Sequence, residues 1–147
     1  MQAVHVLNGP NLNLLGAREP EIYGSDTLDD IRRAMAERCA AKGVDLVFRQ
    51  SNFEGDLVTW VQEASAADAP AIVNAGALTH TSIALYDAIK AARTAVVEVH
   101  LSNPHARESF RRHSFITPVA RGVIAGFGPL SYLLALEALF AGATRKT

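Results

Sequence analysis

Two rhythms of apolar and polar residues alternate along the chain. Short, mostly apolar runs at Ala3–Leu7, Val44–Phe48, Ala71–Asn74, Ala95–Val99 and Gly122–Ala125 are bounded by turn-forming residues and read as strands. Between them the apolar residues recur at helical spacing: Leu28, Ile31, Met35 and Cys39, then Leu57, Trp60, Val61 and Ala64. Further helices are expected from Ser82 to Arg93 and from Tyr132 to Ala141. Thr27 with Asp30 resembles a capping box that opens the first helix, and Gly43 sits where a C-terminal cap belongs. Asp45 and Arg49 put the second strand at a sheet edge, where one side meets water. The near-continuous apolar run Ala95–Val99 predicts a strand covered on both faces.

Strands that alternate with helices imply a parallel sheet with helices on both faces and right-handed crossovers. The chain of 147 residues is too short for an eight-fold barrel and suits one domain. Its length fits an α/β, flavodoxin-like three-layer sandwich with a five-stranded parallel sheet of order 2-1-3-4-5. Residues 143–147 are expected to fray. A net charge of −1 leaves no basic footprint for nucleic acid and no polybasic membrane signal. No apolar run is long enough to span a bilayer, and the N-terminus has no secretory pattern, so a cytoplasmic protein is the default expectation. Cys39 is the only cysteine and falls on an apolar helical face, as a packed thiol would.

In an open α/β sheet, ligands bind outside the carboxyl ends of the strands. Those ends here carry Asn8 to Asn11, Gln50-Ser51-Asn52, Asn74 and His100-Leu101-Ser102. Any one of these is an ordinary turn residue; gathered on one edge, their amides and hydroxyls suit a polyhydroxylated ligand. Arg18 and Tyr23 lie in a polar stretch bracketed by Gly16 and Gly24, which would serve as a lid. A phenol with a pKa of about 10 is a poor base at neutral pH, and a guanidinium beside it favours the phenolate. Glu98 and His100 share one face of a strand, and a carboxylate beside an imidazole fixes its tautomer and favours the protonated ring. His80 precedes a helix and is available to a ligand; His5 and His113 read as structural.

Other chemistries find less footing. Gly126-Phe127-Gly128-Pro129-Leu130-Ser131 mimics a dinucleotide fingerprint but follows the last strand, with no second nucleotide-binding half after it. Lys42, Lys90 and Lys146 avoid the strand ends, which disfavours imine chemistry. A metal site from His80, His100 and His105 lacks tight ligand spacing. A flavin- or nucleotide-binding module on the same fold is the rival reading, although Asn8-Gly9-Pro10-Asn11 replaces a free amide by a proline after the first strand.

The segments LNGPNLNLLGAREPEIYG (Leu7–Gly24), QSNFEG (Gln50–Gly55), NAGALTHTS (Asn74–Ser82), EVHLSNPHARESFRRHS (Glu98–Ser114) and GVIAGFG (Gly122–Gly128) together resemble the type II 3-dehydroquinate dehydratases, or type II dehydroquinases. The resemblance implies a flavodoxin-like fold, a dodecamer of four trimers, and cofactor-free, reversible loss of water from 3-dehydroquinate to give 3-dehydroshikimate. It implies that Tyr23 is the base, that Arg18 promotes its tyrosinate, and that Asn11 holds a water against the enolate. His100, oriented by Glu98, would protonate the departing hydroxyl. Asn74, His80 and Arg111 would bind ring hydroxyls, Ser102 and the Leu101 backbone the carboxylate, and Asp87 would reach a neighbouring subunit's site. Leu78, Phe53 and Tyr86 depart from the family's usual aromatic, histidine and basic residues.

Overall fold

The computed structural model of the chain describes residues 1–17, 19–23 and 25–146, with the backbone alone at Tyr23. Five strands, β1 (Ala3–Asn8), β2 (Asp45–Gln50), β3 (Ala71–Asn74), β4 (Val96–His100) and β5 (Gly122–Ala125), pair in parallel in the order β2-β1-β3-β4-β5. The helices are α1 (Pro20–Tyr23), α2 (Leu28–Ala41), α3 (Glu54–Ala66), α4 (Ile83–Ala91) and α5 (Leu130–Phe140). Short 3-10 turns fill several connections, among them Gly76–His80, Ser109–Arg111 and Thr117–Val119.

The two-residue period of the strands sorts their side chains between two cores. Val4, Val6, Ile72, Val97 and Val99 pack on one face with Ile31, Met35 and Cys39 of α2 and Tyr132, Ala135, Leu136 and Leu139 of α5. Leu7, Ala71, Val73 and Val96 pack on the other with Leu57 and Val61 of α3 and Leu85 and Ile89 of α4. Every residue of β4 is buried, as its apolar run predicts, and β2 is an edge strand.

Local signals act where the sequence places them. The Thr27 hydroxyl accepts from the Asp30 amide and the Asp30 carboxylate accepts from the Thr27 amide, so the capping box at α2 is complete. Gly43 follows α2 in the left-handed region, at φ 65°, which costs glycine little.

Some boundaries differ from the sequence reading for identifiable reasons. Ser82 caps α4 by accepting from Leu85 N, so the helix starts at Ile83. Helix α5 opens earlier than expected, at Leu130, directly after Pro129. The polar stretch from Gly16 to Gly24 contains the four-residue helix α1, begun by Pro20, rather than loop alone. Near the end of the chain, residues 144–146 meet the sheet and α4. Thr94 bridges Arg145, Thr144 O accepts from Ala95 N, and the Lys146 ammonium donates to the carbonyls of Ile89, Lys90 and Ala92 at the end of α4. Arg18, Gly24, Thr147 and the Tyr23 side chain lie outside the described residues. Among the described residues no helix is long and apolar enough to cross a membrane.

Candidate active site

The carboxyl edge of the sheet opens into a cavity where β1, β3 and β4 end. Its wall includes Asn11, Asn74, His80, His100, Leu101, Ser102 and Arg111, seven of the residues singled out in the sequence. They come from distant parts of the chain and meet because parallel strands end side by side, Asn8 being in register with both Gln50 and Asn74.

The turn after β1 is built for close approach. A Cβ on Gly9 would stand 2.3 Å from the Ala75 carbonyl oxygen, so only glycine fits there. The Gly9 amide donates to Asn74 O at 2.8 Å, which joins the ends of β1 and β3. Asn11 holds the left-handed region at φ 69°, a conformation asparagine tolerates. Its amide donates to Asn52 Oδ1 at 3.0 Å, and Gln50 Nε2 donates to Gly9 O and to Asn52 Oδ1. Gln50 and Asn52, at the end of β2, therefore hold the turn from outside the cavity. Ser51 accepts from Phe53 N at the start of α3 and donates to Asp56.

Asn74 is fixed by its surroundings. Its Oδ1 accepts from Gly76 N, and its Nδ2 donates to the Tyr132 hydroxyl at 2.9 Å. Tyr132 in turn donates to Asn8 Oδ1 at 2.7 Å, and Asn8 Nδ2 donates to Arg49 O. Burial pushes the Tyr132 phenol far above its ordinary value, with the Asn74 bond working against it, so Tyr132 stays protonated.

On β4, His100 Nε2 stands 2.5 Å from Glu98 Oε2. Burial is the largest influence on Glu98 and disfavours its charge. Hydrogen bonds from His100, Thr117 and Ser114, with the charge of His100, outweigh it and hold the carboxyl below the usual carboxylate range. A carboxylate only accepts, so Nε2 carries a proton and Nδ1 is the ring nitrogen left for a ligand. The equivalent device at His80 uses a carbonyl: Nδ1 donates to His113 O at 2.7 Å and leaves Nε2 for a ligand. The His113 ring stands edge-on to Phe115, and His5 is buried in β1, which fits the structural reading of both.

Of the other expected residues, Glu98 lies behind His100 on β4 and Asp87 is exposed on α4, both off this wall, while Arg18 and the Tyr23 side chain lie outside the described residues. The structure adds Arg107, which lines the cavity and donates from Nη1 to Ser102 Oγ at 3.3 Å. It lies four positions before Arg111 in the same basic segment, a spacing that was visible in the sequence. Tyr132, Ser114 and Thr117 left no such signal. Among the described residues, no group of three histidine, cysteine, aspartate or glutamate side chains could hold a metal ion. The amides of the fingerprint-like turn are engaged: Gly126 N with His100 O, Gly128 N with Leu101 O and Phe127 N with Ser131 Oγ. No phosphate cradle remains there.

A flavodoxin-like α/β domain with a histidine–carboxylate pair at the carboxyl edge of its sheet is the class that fold and site define. Residues 2–140 match the family model described as dehydroquinase class II. The chain is 60% identical over 136 residues to the 3-dehydroquinate dehydratase of Azorhizobium caulinodans, covering 92% of each chain. It is 55% identical over 140 residues to that of Caulobacter vibrioides, covering 95% of this chain and 96% of the relative. The crystal structure of type II dehydroquinase from Propionibacterium acnes superposes with a TM-score of 0.92 at 40% identity, over 96% of this chain and 97% of that one. The chain belongs to the class II dehydroquinase family of enzymes.

Proposed function

We propose that the protein catalyses the reversible dehydration of 3-dehydroquinate to 3-dehydroshikimate by anti elimination through an enolate, without a cofactor. The observation that carries this reading is the His100–Glu98 pair beside a wall of amide, imidazole, hydroxyl and guanidinium groups. Such a wall suits a ring bearing hydroxyls and a carboxylate.

In this reading Tyr23, made anionic with the help of Arg18, removes the proton alpha to the ketone, and the electron pair moves onto the ketone oxygen. Asn11 holds a water that donates to that oxygen; preorganised donors of this kind are typically worth about 3–4 kcal/mol. The enolate then collapses, the carbon–oxygen bond breaks on the opposite face, and His100, acting as the imidazolium, gives its Nδ1 proton to the leaving hydroxyl to form water while Glu98 keeps the Nε2 proton. Asn74, His80 and Arg111 bind ring hydroxyls, and Ser102 with the Leu101 backbone receives the carboxylate. Asp87 completes a neighbouring subunit's site in a dodecamer of trimers. Both the shikimate route to aromatic compounds and the breakdown of quinate use this step.

Incubation with 3-dehydroquinate should generate the ultraviolet absorbance of a conjugated enone, and its absence from an intact oligomer would overturn the reading. Tyr23→Phe should lose most of kcat while substrate binding persists; a near-normal kcat would remove Tyr23 as the base. Borohydride added with substrate should not inactivate the enzyme, because no imine forms.

A further inference from the structure

The mechanism assigns nothing to Ser114 and Thr117, yet both reach the buried carboxylate behind His100. Ser114 Oγ stands 3.2 and 3.1 Å from Glu98 Oε1 and Oε2, and Thr117 Oγ1 stands 2.6 Å from Oε1. A hydroxyl has one proton and two lone pairs. Ser114 Oγ already accepts from Ile116 N at 3.0 Å and from Thr117 N at 3.1 Å, which occupies both lone pairs. Its proton can therefore only be given away, and Glu98 is the acceptor within reach. A protonated Glu98 would have to find an acceptor of its own, and Ser114 has none to offer. The ionised carboxylate receives His100, Ser114 and Thr117 together, whereas a protonated one would have to turn a donor toward Ser114 or lose the bond from Thr117.

We propose that the Ser114 and Thr117 hydroxyls are positioning residues for proton transfer, acting through Glu98 on His100. They keep Glu98 a carboxylate despite its burial, and the carboxylate keeps the proton on Nε2 and the ring aimed. The other titratable groups near this carboxylate, on the cavity it shares with both hydroxyls, are His80, His105, Arg111, Arg112 and His113. The strand neighbours in register with Glu98 are Val73 and Val123, which add no charge.

This inference rests on His100 as the acid of the proposed dehydration. The test is the pH dependence of kcat and KM for Thr117→Val, Ser114→Ala and Ser114→Thr beside the unaltered enzyme, with His100→Gln as the control on the acid itself. Thr117→Val keeps the shape and the backbone while deleting one donor, so it carries the test if Ser114→Ala fails to fold. Loss of a hydrogen bond to a buried charged group should lower kcat at neutral pH by about tenfold, with KM changed far less. The acidic limb of kcat should move to higher pH, because Glu98 takes up a proton sooner once its donors are gone. Ser114→Thr should restore the unaltered profile. Thr117→Val and Ser114→Ala profiles that superimpose on that of the unaltered enzyme, with only thermal stability reduced, would make the hydroxyls structural and overturn the inference. Full activity in His100→Gln would instead overturn the acid assignment on which it rests.

Discussion

Tyr132 has no exposed surface, yet its hydroxyl connects two asparagines at the ends of neighbouring strands. Tyr132→Phe keeps the ring and deletes only that link, leaving Asn8 Oδ1 and Asn74 Nδ2 buried without it. Stability should fall by about 2–3 kcal/mol, since an abandoned buried polar group costs on the order of 1–3 kcal/mol; the thermal midpoint measures this. The sequence showed only an apolar helix at this position, because the partners lie 124 and 58 residues away and no local pattern records them. Asn74 and His100 were legible for the opposite reason, since strand ends in a parallel sheet share one edge. Two buried groups also set a response to acid. His5 is held below its ordinary 6.5, chiefly by burial and then by Arg49, with Glu63 opposing. Glu98 is held low by its hydrogen bonds against burial. In both cases the unfolded chain binds the proton more readily, so each contributes stability above its unfolded pKa that is lost as pH falls through the folded one. The thermal midpoint should therefore begin to fall below about pH 6.5 and fall further through the carboxylate range. Replacing His5 by glutamine should flatten the upper part of that decline, and an unchanged slope would assign it elsewhere.

The elements themselves were readable because each carries its own punctuation. Thr27 and Asp30 announced α2, and both reciprocal bonds are present. Thr27→Ala should cost about 1 kcal/mol and increase hydrogen exchange in the first turn of α2. Little effect on kcat is expected, because that turn lies off the cavity wall. Gly9 behaves differently. Asn8-Gly9-Pro10 looked like a turn signal, but Gly9 does not have a positive φ, and its constraint is the approach of the Ala75 carbonyl. Gly9→Ala should push the ends of β1 and β3 apart and lose activity with the fold, visible together in circular dichroism and turnover. Pattern reading failed where an element is set by contacts from elsewhere. Lys146 donates to carbonyls at the end of α4, and α1 interrupts a stretch that lacks apolar periodicity.

At the scale of the whole molecule, the cavity of one chain does not include Asp87. That residue is exposed on α4 one turn after Ile83, which is 60% exposed, so an apolar and an acidic side chain stand on one open helix face. Phe53, Phe110 and Phe127 are more than half exposed as well. The proposed assembly would cover such surface and carry Asp87 into the next subunit's site. Subunit complementation tests this directly. Asp87→Ala protomers keep their own base but supply no aspartate; Tyr23→Phe protomers lack the base but supply one. Each alone should turn over poorly. Oligomers reassembled from an equal mixture contain Asp87→Ala sites facing Tyr23→Phe neighbours, and those sites are complete. Activity should rise well above the mean of the two parent samples, and only after dissociation and reassembly. If the mixture merely averages them, Asp87 serves its own chain or none, and the shared site is wrong. In the proposed assembly this part of the site lies between chains, which is why it could be expected from resemblance but not from strand order.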